Sequence, residues 1–249
     1  MEQFLRPEWV AIFLFAGGIK GLIGMGLPMI SLALLGQFLD IPSAMALTLI
    51  PALGTNLWQA SSGGEFRALV QRLWRLLLLI PGAIWLGAHL LQRVAPHWAA
   101  AVLGLLIVLY SLATLTGYRL HISAEQERRW GLAAGALNGL LTGITGTFSV
   151  PSVMYLQGIG LSRDQLVQAL GMIFSLSSLS LSLALGSLGL FTLEGAGHSS
   201  ICLLSALLGM ALGQRLRRYI PEPEFRTVFL SFLLLLGGAL CLKPFLLTF

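Results

Sequence analysis

Eight apolar stretches, at 9–36, 43–60, 73–92, 98–117, 131–160, 165–190, 198–214 and 226–247, take up most of this chain. Each is close to the 20 or so residues that a helix needs to cross a bilayer. Polar punctuation separates them: Gln59-Ala-Ser-Ser-Gly-Gly-Glu65 with Arg67, then Tyr118 to Arg129, then Gln214 to Arg226. Only 10% of the residues are Asp, Glu, Lys or Arg, against about 25% in a soluble domain. That shortage of charge, with a mean hydropathy of +0.85, excludes a soluble enzyme, a disordered chain and a nucleic-acid-binding domain. The reading is an all-α polytopic membrane protein, one membrane domain over residues 1–249. Its net charge of +5 is read as cations retained on the cytoplasmic side, in a lipid environment and with no nucleic-acid partner. Trp9, Trp58, Trp74, Trp98 and Trp130 fall near span ends, where an amphipathic ring suits the interface; Trp85 is expected to pack inside. The opening Met1-Glu-Gln-Phe-Leu-Arg-Pro-Glu8 has two acids and no small-residue cleavage site. It is read as mature sequence and not a signal peptide.

Two segments differ from the rest. One is Gly17-Gly-Ile-Lys-Gly-Leu-Ile-Gly-Met-Gly-Leu-Pro28; the other is Gly135-Ala-Leu-Asn-Gly-Leu-Leu-Thr-Gly-Ile-Thr-Gly-Thr-Phe-Ser-Val-Pro151. Each opens one half of the chain and is followed by three ordinary spans. Gly21 answers Gly139, Lys20 answers Asn138, Pro28 answers Pro151, and Leu39-Asp-Ile-Pro-Ser43 answers Ile159-Gly-Leu-Ser-Arg163. This is an internal repeat, with repeat one at 9–117, repeat two at 130–247 and the boundary near Trp130.

Charge bias decides whether these segments cross the membrane or turn back. If both cross, Lys and Arg divide eight to six, with Lys20 uncounted; if both turn back, eleven fall on one side and three (Arg6, Arg93, Lys243) on the other. The positive-inside rule prefers the second. Each segment then divides into two pieces of about 13 residues, or roughly 20 Å of helix, which reaches the midplane only. Two inverted repeats follow, each a broken helical hairpin plus three transmembrane helices, a recurrent plan of secondary transporters. Labels at Glu194 and Glu222 are expected to report opposite sides.

Irregular backbone at membrane depth persists only where protein buries it or a wet cavity receives it. The N–H groups that open a half-helix carry partial positive charge and suit an anion, and glycines such as Gly24, Gly26 and Gly146 let backbone approach a ligand. Asn138, Thr142, Thr145, Thr147 and Ser149 supply donors around the second break. Lys20 is the only cation well inside a predicted span, where a charge costs at least ~2.5 kcal/mol. No acid is near it in sequence: Asp40, Glu65, Asp164 and Glu194 all sit at span ends. One cation without an anion fits an anionic ligand; the alternative is a lysine that snorkels or caps a half-helix. Thr48 and Gln168, then Thr55 and Ser175, fall at matching repeat positions, and Asn56 and Gln59 extend the first set. The series Ser175, Ser177, Ser178, Ser180, Ser182 reads more naturally as a packing stripe than as a ligand ladder. The small-residue pairs Gly17-x3-Gly21, Gly135-x3-Gly139 and Gly209-x3-Gly213 would equally serve helix packing, the last of them in a homodimer.

Cys202 and Cys241 lie in apolar runs, so neither a disulfide framework nor a metal site is expected. There is no P-loop, no His-Glu-x-x-His, no Cys-x-x-Cys and no Gly-x-Ser-x-Gly, so neither an enzyme nor a cofactor is read. No carboxylate lies deep in a span, which leaves proton coupling a default assumption.

The stretch Gly21-Leu-Ile-Gly-Met-Gly-Leu-Pro28, with its counterpart Asn138-Gly-Leu-Leu-Thr-Gly-Ile-Thr-Gly-Thr-Phe-Ser-Val-Pro151, resembles the paired signatures of the TauE/SafE sulfite-exporter-like proteins, also called the toluene-sulfonate uptake permease family. Length, two-repeat layout and central basic loop fit as well. The resemblance implies a secondary transporter of small sulfur-containing anions such as sulfite, sulfoacetate or other organosulfonates in the cytoplasmic membrane, and export only through the family's name. Two features depart from the pattern, a shorter glycine run (Gly24-Met-Gly26-Leu) and Lys20 itself, and they leave the particular anion open. The expected site is Lys20, Gly24, Gly26, Thr48, Asn138, Thr142, Thr145, Gly146, Thr147 and Gln168. Two other readings stay open: a non-transporting membrane assembly or partner protein, and a passive anion channel.

Overall fold

The computed structural model describes residues 6–117, 120–147, 150–217, 219 and 222–246. Phe148, Ser149, Arg119 and Arg218 lie outside the described residues. Those described form ten α-helices: α1 (Pro7–Ile23), α2 (Leu27–Leu35), α3 (Ile41–Ser61), α4 (Phe66–Leu91), α5 (Pro96–Leu115), α6 (Ala124–Thr145), α7 (Val150–Gly158), α8 (Arg163–Ser187), α9 (Leu193–Leu216) and α10 (Glu222–Leu246).

Both glycine-rich segments break where expected. Gly24 (φ +83°) and Gly146 (φ +74°) take the left-handed conformation that ends a helix and that a side chain resists. Each donates its N–H four residues back, to Lys20 O and Thr142 O, at 2.7 Å. The pieces are unequal, however: 17 and 9 residues in α1 and α2, 22 and 9 in α6 and α7. The first piece of the second segment is the longer because it begins outside the apolar run. Helix α6 opens with Glu125, Glu127, Arg128 and Arg129 before its glycines; α4 likewise takes Arg67, Arg72 and Arg75 into its first turns.

The second piece of each segment returns along the first. Near the start of α1, the Trp9 ring meets Phe38, just past α2, with centroids 6.4 Å apart. At the other segment, Ile122 N–H donates to Gly158 O (3.0 Å) and Tyr155 OH to Glu127 O (3.3 Å). One end of the molecule gathers Trp9, Phe38, Ser43, Leu190 and Thr192 around a common groove. At the other, Arg72 binds Glu127 (2.8 Å) and Ile159 O (3.0 Å), and Gln165 donates to Glu65 (2.7 Å).

Helix α1 lies along α9, α6 along α4, α5 against α10 and α3 against α8. Small residues permit these approaches: a Cβ on Gly17 or Gly21 would collide with the backbone of Ala206 or Met210, and one on Gly139 or Gly143 with that of Ile80 or Ile84. Gly209 and Gly213 meet Leu14 O and Gly18 O in the same way, so α1 already covers the face read as a homodimer contact.

Four helices, Phe66–Leu91, His97–Leu115, Asp164–Ser187 and Leu193–Leu216, are long and apolar enough to cross a membrane. The α3 helix is long enough at 21 residues, but the polar Thr55, Asn56 and Gln59 keep it out of that set. These side chains are buried. In α8, 72% of the apolar window is buried, against 33% in α4 and in α9. The pair α3 and α8 is therefore central, and the outer helices present leucines such as Leu78, Leu86, Leu204 and Leu208 outward. Two tryptophans are reversed from expectation: Trp85 is 39% exposed on outer helix α4, and Trp9 is buried against the α2 end.

Candidate functional site

Lys20 lies in the last turn of α1, where the negative end of the helix dipole favours a cation. Its backbone carbonyl accepts the Gly24 cap, and its side chain leaves toward α3, 4% exposed. There Nζ donates to Thr55 Oγ1 (3.1 Å) and to Asn56 Oδ1. Thr55 gives its own proton to Pro51 O (2.7 Å), so lone pairs remain for the ammonium. With Oδ1 turned to the lysine, the Asn56 amide keeps Nδ2 buried and without a partner among the described residues.

Pro51 helps to fix this part of α3. It lacks an N–H and so leaves Leu47 O without its helical donor. Ser199 of α9 donates to that oxygen (2.8 Å) and accepts from Ile50 N–H (3.2 Å). One hydroxyl thus repairs the gap and ties α3 to α9.

Both of Lys20's partners are neutral. The ion pair found among the described residues is Arg72–Glu127, and among the described residues no acid lines the cavity into which Lys20 opens. That cavity holds about 320 Å³. Lys20, Gly24, Thr55 and Gln59 form its inner wall; the exposed Trp58, Ser62, Gln214 and Arg217 stand at its mouth, where α3 and α9 end. Its floor is apolar. Tyr110 OH donates to Met25 Sδ (3.4 Å) across the first break, and Phe229 packs beside them. Behind lies a void of only about 10 Å³ that Gly26, Pro28 and Phe174 help to line.

Of the ten expected residues, Lys20 and Gly24 line the cavity and Gly26 lines the void behind it. The others lie elsewhere. Thr48 Oγ1 donates to Ala44 O (2.8 Å) and pairs with Ser31 (3.3 Å). Gln168 latches α8 to the α3–α4 turn, donating to Ala60 O (3.0 Å) and accepting from Glu65 N–H (3.1 Å). Thr142 donates to Thr147 O (3.1 Å), Thr145 donates to Leu141 O (2.8 Å), and Gly146 caps α6 against Met45 and Leu32. Asn138 is 1% exposed, and neither amide atom has a partner among the described residues. Counted from the caps, Lys20 corresponds to Thr142; Asn138 stands one turn earlier. Sequence reasoning missed Tyr110, inside the apolar run 98–117, and Gln214, at the end of the run 198–214. It read Arg217 only as part of a basic loop.

Compared with known families, residues 9–240 match the one described as Sulfite exporter TauE/SafE. No curated protein and no solved structure matches the chain. The family and the apolar helices make this a multi-pass membrane protein of transporter type. The match covers nearly the whole chain and includes both broken segments, and the chain belongs to the sulfite exporter TauE/SafE family.

Proposed function

We propose that the chain is a secondary transporter, an exporter by its family's name, that moves small sulfur-containing anions such as sulfite, sulfoacetate or other organosulfonates across the cytoplasmic membrane. The observation that carries this reading is Lys20: a buried ammonium, held by two neutral acceptors, facing a cavity that no acid lines among the described residues. A sulfite or sulfonate head has several acceptor oxygens, so the lysine and neighbouring amides engage it together. The positive end of α2, opening at Gly26, adds to the attraction.

The architecture we propose is a single domain of two inverted repeats, each a hairpin plus three crossings, exposing the site to each side in turn. The matched pairings α1 with α9 and α6 with α4 support it, as do the two returns at opposite ends of the molecule. In a version without Cys202 and Cys241, single cysteines at Glu125 and Glu194 are expected to react with impermeant reagent from opposite sides. Reaction of both from one side would remove the hairpins.

The direct test is flux in proteoliposomes with sulfite, sulfate, thiosulfate, taurine, sulfoacetate and acetate. Saturable movement of sulfite or a sulfonate, stimulated by substrate on the far side and absent for acetate, is expected. Flux that neither saturates nor responds to substrate opposite would mean a channel. No flux from folded protein would mean an assembly role.

A further inference from the structure

The two halves place different charges at one corresponding position. Lys20 is the residue whose carbonyl receives the Gly24 cap, and Thr142 is the residue whose carbonyl receives the Gly146 cap. In the next helices, Asp40 caps α3 through Ser43 N–H (2.8 Å), and Ser162 caps α8 through Gln165 N–H (3.3 Å). Thr55 and Asn56 follow Asp40 by 15 and 16 residues; Ser177 and Ser178 follow Ser162 by the same 15 and 16. The outer packing keeps this register, because Gly21 meets Met210 and Gly213 where Gly143 meets Ile84 and Gly87. The pair Ser177 and Ser178 therefore corresponds to the two groups that hold the Lys20 ammonium, while Thr142 takes the place of Lys20 and brings no charge.

An independent observation agrees. Ser177 and Ser178 are fully buried, and neither hydroxyl has a hydrogen-bond partner among the described residues. Asn138, one turn from Thr142 on the same face of α6, is equally unpartnered. Groups buried in this way normally find partners. Thr142 gives its proton to Thr147 O, which leaves its lone pairs free. The position is in the last turn of α6, where the helix dipole favours positive charge.

On the reading of two inverted repeats around an anion site at Lys20, we infer that Thr142, Ser177, Ser178 and the Asn138 carbonyl oxygen form a site for sodium, the ion coupled to anion movement. Neutral oxygens suit a hard monovalent cation, and ends of broken half-helices hold such ions in transporters. None of the four side chains titrates near neutral pH, so this site does not carry a proton. Lys20 is then a tethered cation in one half and sodium a mobile one in the other.

The test measures anion flux in proteoliposomes with sodium, potassium or N-methylglucamine outside, alongside thermal unfolding of the purified full chain in the same salts. Sodium is expected to raise flux at least tenfold over N-methylglucamine and to raise Tm. The variants Ser177→Ala and Ser178→Ala should each shift half-saturation for sodium upward at least tenfold and recover at high sodium, and the double variant should lose the sodium-dependent Tm rise. Anion flux equal in all three salts, with no sodium effect on Tm, overturns the sodium site and leaves the anion reading standing. A sodium-dependent Tm rise that the double variant loses, without flux of any anion, supports the site and sinks the transport reading instead. Equal effects of potassium and sodium would overturn the assignment to sodium.

Discussion

Lys20→Gln is expected to lower anion flux at least a hundredfold while leaving the protein folded. Among the described residues the ammonium is the one charge on the cavity's inner wall, and an attraction between unit charges about 4 Å apart is worth about 4 kcal/mol at the effective dielectric of a protein interior. That is roughly a thousandfold in affinity, and the amides that remain recover part of it. Folding is spared because a buried charge is costly to keep and a glutamine amide can still bond to Thr55 and Asn56. The checks are transport, yield and a monodisperse elution profile together. Near-normal flux would take Lys20 out of the site, whereas lost flux with lost yield would make it structural.

The second large effect concerns two glycines three residues apart. Gly21→Ala drives a methyl group into the Met210 carbonyl, with Gln214 N at 2.8 Å and Gly213 Cα at 3.0 Å. These are backbone atoms of α9, so no side chain can rotate away, and α1 must separate from α9. Overpacking of this kind costs about 1–3 kcal/mol, and here it also displaces the Gly24 break and Lys20. At Gly18 the added methyl would meet only Gly209 O at 3.8 Å, and alanine improves helix propensity by about 1 kcal/mol. Thermal unfolding should show Gly21→Ala several degrees below the parent and Gly18→Ala level or above. Equal Tm values would mean that the α1–α9 contact is looser than described.

Much of this architecture is legible in the sequence because membrane chains must satisfy their backbone locally. The two breaks follow from glycines that stand a few residues before a proline, and the caps at Asp40 and Ser162 follow from residue type. Register between the halves is harder to read. Glycines recur every four residues at 17 and 21 and at 135, 139 and 143, so an alignment on glycine alone is ambiguous by one helical turn. Pairing Lys20 with Asn138 is that ambiguity; counting from the left-handed caps at Gly24 and Gly146 pairs Lys20 with Thr142 instead, on the repeat reading proposed above. Lys20 itself is legible from charge alone. Thr48 and Gln168 show the limit of polarity as a signal: a buried hydroxyl or amide in an apolar helix as often closes a local backbone bond as it waits for a ligand, and both do so here. The partner of Lys20, Asn56, is 36 residues away, and such a contact depends on how α1 and α3 cross.

The hydroxyl of Ser199 has a mechanical consequence. It donates to Leu47 and accepts from Ile50 in a place where no solvent competes for either bond, so any shear of α3 along α9 would open both at once. Helix α1 is interlocked with α9 through its glycines. The walls that carry Lys20, Thr55 and Asn56 are thus braced against one beam and form a single rigid cradle. On the alternating-access reading proposed above, opening and closing then fall to the far side of the cavity, where Tyr110 meets Met25 and Phe229 packs beside them.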